Sequence, residues 1–101
     1  MKRKEMPVAI CGFVQHKTAG WQGVIYTNRC EEQCITNGVY VWTLTEKRRN
    51  AVRDITIEDV SLSSMVLTME EMSETNPLFG PPKDLIQAMQ AMVKERRGGG
   101  V

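Results

Sequence analysis

The sequence predicts a small α+β domain, an antiparallel β-meander of about four strands followed by one or two helices packed on one face. Two observations carry that prediction. The first half of the chain is rich in β-branched and aromatic residues and is punctuated by turn signals. From Leu62 onward the apolar residues change to the three-and-four spacing of a helical face. Strands first and helices after is the order of an α+β layout. At 101 residues the chain is read as one domain, residues 1–101, with flexible ends at about 1–6 and 98–101.

The strands follow in order. "PVAICGFVQ" is a continuous apolar run of the kind covered on both faces, and "KTAGW" supplies a turn. "WQGVIYTN" alternates, with Gln22, Val24 and Tyr26 on one face and Trp21, Gly23, Ile25 and Thr27 on the other. Gly23 inside it marks a bulge or a close backbone approach. In "TNGVYVWTLTEKRRN", Tyr40, Trp42 and Leu44 point one way and Val39, Val41 and Thr43 the other. Asn37-Gly38 is a two-residue turn signal, since a type I′ turn needs positive φ at both central positions. A hairpin closing there pairs Cys34-Ile35-Thr36 with Val39-Tyr40-Val41. "RDITIED" is the fourth strand, with Ile55 and Ile57 on one face.

The helices come next. Leu62, Met65, Val66, Met69 and Met72 fall on one helical face, and Ser61 is an acceptable N-cap. A strand with Met65, Leu67 and Met69 on one face is the open alternative for the same stretch. "SETNPLFGPP" is a breaker-rich loop. A C-terminal helix at about Pro82–Arg97 has Pro82 and Asp84 in its first turn and Lys94, Arg96 and Arg97 in its last. Leu85, Ile86, Met89, Met92 and Val93 form its apolar stripe, and the glycine run after it ends the helix.

Composition bounds the function. With 42% apolar and 25% charged residues the chain is an ordinary globular protein rather than a disordered one. A net charge of +1 argues against nucleic acid as the main partner, because phosphate neutralisation drives most non-specific affinity. No apolar run approaches the ~20 residues that span a bilayer. Lys2-Arg3-Lys4 before Val8–Val14 resembles the start of a signal peptide, but Gly12 interrupts the run and no small-residue cleavage site follows. Three cysteines, an odd number, fit a reducing compartment, so a cytoplasmic location is expected.

Three constellations bear chemistry. Cys11, His16, Cys30 and Cys34 make a Cys3His set suited to tetrahedral zinc. Their spacing is poor, with three residues between Cys30 and Cys34 rather than two, and an odd Cys11–His16 separation that splits a regular strand's faces. The plainer reading makes Cys11 a small buried hydrophobe and His16 a loop residue. Redox chemistry lacks a C-x-x-C, hydrolysis lacks an orienter for a Cys–His pair, and "GWQG" lacks the Lys-Ser/Thr of a phosphate loop. No enzyme and no cofactor are therefore expected. Lys47, Arg48, Arg49 and Arg53 beside a strand bearing Tyr40 and Trp42 suit RNA or single-stranded DNA, with Lys2, Arg3, Lys4 and Lys17 extending the patch. The plainer reading is a charged hairpin tip that keeps a sheet edge soluble. Met65, Met69, Met72, Met89 and Met92 are more methionine than a small core needs, and flexible thioethers favour adaptable interfaces; for any single one, core filler is the plainer account. The balance favours a binding module that docks on a larger protein or on itself as a homodimer. Such small accessory or inhibitory proteins are often encoded by phages and other mobile elements. Nucleic-acid binding is the alternative, and a zinc-stabilised β-domain a minor one.

Overall fold

The structure is a computed structural model that describes residues 7–99. Five strands, β1 (Ala9–His16), β2 (Gln22–Thr27), β3 (Gln33–Thr36), β4 (Val41–Thr43) and β5 (Val52–Ile55), form one sheet in the order β4-β3-β2-β1-β5. Every neighbouring pair is antiparallel. Helix α1 (Glu46–Asn50) lies between β4 and β5, and a single 3-10 turn (Ile57–Asp59) leads to α2 (Leu62–Thr75) and α3 (Lys83–Gly99). The α+β layout stands, with five strands where about four were expected. The stretch Leu62–Met72, open between helix and strand, is helix. The expected flexible ends at 1–6 and 100–101 lie outside the described residues, while Gly98 and Gly99 belong to α3.

The first four strands are a meander, but β5 is not its continuation. It pairs with β1 at the opposite edge from β4, with Phe13 opposite Ile55 and His16 opposite Val52. Antiparallel pairing throughout makes β4 and β5 run in the same direction, so the chain from Leu44 to Ala51 must cross one face of the sheet from edge to edge. The expected basic hairpin from Lys47 to Arg53 is thus corrected to a crossover. Its cause is local: the Thr45 hydroxyl accepts from Arg48 N at 3.2 Å, and Glu46 follows in the first turn, which starts a helix rather than a strand.

Two more departures set which side chains meet. Ile10 pairs with Tyr26 but Gly12 with Ile25, so Cys11 is the extra residue of a β-bulge. Ile10 and Phe13, three positions apart, consequently pack into the same core, which strict alternation forbids. The hairpin between β3 and β4 is wider than the Asn37-Gly38 signal implies. Thr36 faces Val41, and Ile35 faces Trp42. Gly38 has φ +96°, but Asn37 is not left-handed, so no type I′ turn forms. Asn37 Oδ1 instead accepts from the amides of Val39 and Tyr40, both at 3.0 Å, and the Thr36 hydroxyl donates to Tyr40 O at 2.6 Å. The two-residue slip preserves every side chain's face.

The sheet is thus covered twice. Phe13, Val24, Tyr26 and Cys34 pack against Leu62, Met65, Val66, Met69, Leu85, Ile86 and Met89 of α2 and α3. Gln22 anchors that layer: its Nε2 donates to Asp59 O at 2.8 Å and its Oε1 accepts from Ser61 N at 3.0 Å, just before α2. On the other face Val14, Ile25, Ile35 and Val52 form a smaller cluster roofed by Trp21, Trp42 and Leu44.

Candidate functional site

The roof of the smaller cluster is a row of rings. His16 and Trp21 lie 5.1 Å apart between centroids, Trp21 stacks on Trp42 at 6.1 Å, and Tyr40 follows Trp42 at 5.9 Å. Gly23 makes the row possible. A Cβ at that position would stand 2.8 Å from the Trp21 ring and 2.5 Å from the Thr36 carbonyl oxygen. The expected close approach at Gly23 is therefore real, and its function is to let an indole lie flat over β2. His16 is fixed by its own turn, where Nδ1 accepts the amides of Ala19 at 2.9 Å and Thr18 at 3.2 Å. That leaves Nε2 as the ring's donor.

Helix α1 splits this face into two hollows. One, of about 230 Å³, is floored by Ile35 and Val52, walled by His16, Trp21 and Trp42, and closed by Arg48 and Ala51 of the crossover. Among the described residues Arg48 is its only formal charge, held in place by a 3.0 Å bond from Nη1 to Thr43 O. Lys17 stands at the same end, its amide donating to Ala51 O at 2.9 Å, and its side chain is exposed. The second hollow is open, about 620 Å³, and carries Glu46, Arg49 and Asp54. There Arg49 is neutralised by Asp54 at 2.8 Å.

No protein-family model matches the chain, no curated protein matches it, and no solved structure matches it. Geometry alone therefore sorts the residues singled out in the sequence. Tyr40, Trp42 and Arg48 come together on one face, joined by Trp21 and His16. Lys47 is exposed on α1. Arg49 belongs to the other hollow. Arg53 pairs in register with Gln15 and bonds its side-chain carbonyl, on the opposite face from Val14 and Val52. Lys2, Arg3 and Lys4 lie outside the described residues.

The methionines are placed differently from a docking stripe. Met65, Met69 and Met89 are buried between sheet and helices, and Met92 packs against the same core, while Met72 is half-buried. Three of the five side chains thus face inward and are not available on the surface of this fold. Cys11, His16, Cys30 and Cys34 are not gathered either; among the described residues no group of three or more His, Cys, Asp and Glu side chains is placed to hold a metal ion. Cys11 sits against Thr27 at 3.4 Å, and His16 lies at the far end of β1. Cys30 is exposed on a turn whose Asn28 Oδ1 accepts the Cys30 and Glu32 amides, both at 2.9 Å. Cys34 is buried beside Tyr26. Burial pushes its thiol pKa up, Glu32 adds to the rise, and hydrogen bonds with Tyr26 and Asn28 work against it. All three thiols are free.

Two features were not singled out in the sequence. Trp21 was assigned to the correct face, but only the register of β2, β3 and β4 reveals that it meets Trp42. Leu78 and Phe79, at 85% and 72% exposure in the loop between α2 and α3, stand at a groove with Tyr26, Cys34 and Val41. Consecutive large apolar residues inside a Pro- and Gly-rich loop were the available signal. Among the described residues no helix is long and apolar enough to cross a membrane.

Proposed function

We propose that the protein is a small non-enzymatic binding module whose working surface is the ring-bearing face of the sheet and whose partner is single-stranded RNA or DNA. The observation that carries this reading is the coincidence of a four-ring row with a hollow whose sole charge, among the described residues, is a cation. Base-stacking platforms beside backbone-tracking cations are how proteins hold single strands without reading sequence. The charge distribution supports it, because the positive excess lies in the half of the chain that builds the sheet and α1. Through Ile55 the described chain has six Lys and Arg against four Asp and Glu, and from Thr56 it has four against seven. The positive excess of the first half lies on α1, with Lys47, Arg48 and Arg49 against Glu46, and the negative excess of the second lies on α2 and the 3-10 turn. Free thiols are consistent with a reducing, cytoplasmic setting.

The test is binding of a fluorescent single-stranded oligonucleotide across a salt series. Affinity is expected to fall steeply with salt and to weaken at least about tenfold in the double variant Lys47→Glu/Arg48→Glu. Salt-independent or undetectable binding by the intact protein defeats the reading.

A protein partner, or a second copy of the chain, is the second reading, favoured by the exposure of Leu78 and Phe79. It predicts a dimer in sedimentation or a stoichiometric co-purifying protein that Phe79→Asp releases. A monomer with no companion counts against it.

A further inference from the structure

We infer that the hollow over Ile35 and Val52 is a pocket for one nucleobase of the bound strand, with Arg48 set to hold a neighbouring phosphate. The inference rests on the nucleic-acid reading above and goes further by naming what enters and where. Its first support is size. At about 230 Å³ the hollow is smaller than the roughly 300–1,000 Å³ of sites for whole small molecules, and is suited to a single ring system. Its second is chemistry. The floor is aliphatic, Trp21 and Trp42 supply flat π-faces, and the histidine ring keeps only Nε2 as a donor. A planar occupant with polar edges matches that lining.

Charge distinguishes a base from the aromatic side chain of a peptide. Among the described residues no carboxylate lines the hollow, and the one charged group that does is the Arg48 guanidinium. The charge that closes the opening is thus a cation, so an occupant carried on an anionic chain is favoured. The neighbouring hollow provides an internal contrast: it is larger, holds Glu46 and Asp54, and its arginine is already paired. A strand anchored at Arg48 is thus directed to the ring side of α1 and not to the other.

The protein supplies its own probe. Its only two tryptophans, Trp21 and Trp42, both line this hollow, so tryptophan emission, excited at wavelengths that spare Tyr26 and Tyr40, reports on the walls of the pocket. The full chain is titrated with an oligothymidylate, with an abasic strand of equal length, and with a blunt duplex. Single strand is expected to quench the tryptophans; the abasic strand is expected to bind at least about tenfold more weakly, the scale of a lost base stack, without quenching. Ala51→Leu, which fills the hollow while keeping every ring and cation, is expected to lower affinity for the oligothymidylate to the abasic level. Circular dichroism and a thermal melt confirm that this variant folds. Equal binding of the normal and abasic strands, with no quenching, overturns the base pocket while leaving the nucleic-acid reading standing as a backbone-only interaction. No binding of any strand removes both.

Discussion

The two faces of the sheet are closed by different means. Under α2 and α3 the cover is aliphatic and sulfur-containing, and Met69, Leu85 and Met89 are all fully buried at 0% exposure. Over the opposite face, the cover is two half-buried indoles, Leu44 and a five-residue helix that buries none of its own residues. The floor beneath is nonetheless tight, with Val14 at 0% and Ile35 at 1% exposure. The lesson is a division of labour. Interior packing of long helices supplies stability, whereas a short crossover that contributes little packing leaves room for a hollow and keeps its rings accessible. Sites commonly lie where a rigid scaffold carries a lightly packed connection.

The sharpest way to break this comparison is to truncate one side chain on each face. Leu85→Ala removes a fully buried residue from the helix face and is expected to cost about 3 kcal/mol, inside the range for leucine truncations in cores. Trp42→Ala deletes a larger side chain, yet its ring is only half-buried, so about 1–2 kcal/mol is expected, below the cost of removing a fully buried tryptophan. Urea unfolding of both variants decides the matter. If Trp42→Ala is as costly as Leu85→Ala, the two faces are equally structural and the case for a working surface is weakened.

Gly23→Ala comes next. The new methyl would meet the backbone oxygen of Thr36, which cannot step aside as a side chain can, as well as the Trp21 ring. A cost of about 1–3 kcal/mol is expected, together with a change in tryptophan emission as the indole leaves Trp42. A stable variant with unaltered emission would show that Gly23 is not what holds the ring row in place.

Some of this was legible in the sequence and some was not. The alternation in β2 sorted Val24 and Tyr26 from Trp21 and Ile25, and the structure puts the first pair in the helix-side core and the second on the ring face. The stripe Leu85, Ile86, Met89 identified the inward face of α3. Alternation and helical period are local and survive any tertiary arrangement. What failed depended on partners distant in sequence or on one-residue details. A bulge at Cys11 inverts the parity of β1, and nothing in "AICGF" announces it. The Asn37-Gly38 signal lost to side-chain bonds from Thr36 and Asn37 that favour a longer loop. The position of β5 beside β1 is a topological fact to which "RDITIED" contributes no local cue. The site itself needed all three: Tyr40 and Trp42 were visible as a pair, but Trp21 and His16 joined them only through register.

The smallest expected effect tests how well sealed the helix face is. Tyr26 and Cys34 are register partners on that face, and both have pKa values raised chiefly by burial. For each, the folded-state value lies above the unfolded one, so the fold favours the protonated form. Below the ordinary thiol value, about 8.5, both states are protonated and no penalty arises. As pH rises past it, the unfolded chain releases the Cys34 proton first, then the Tyr26 proton near pH ~10, and stability falls by at most about 1.4 kcal/mol per pH unit per group until the folded values are reached. Urea melts at pH 7, 9 and 10 are expected to show this decline, and Cys34→Ala to flatten its part between pH ~8.5 and ~10. Lysines and other groups titrate in the same range, so the difference between the two proteins is the informative quantity. If Cys34→Ala follows the wild-type curve in parallel, the thiol is hydrated in the folded protein and the helix face is not the sealed half of the comparison.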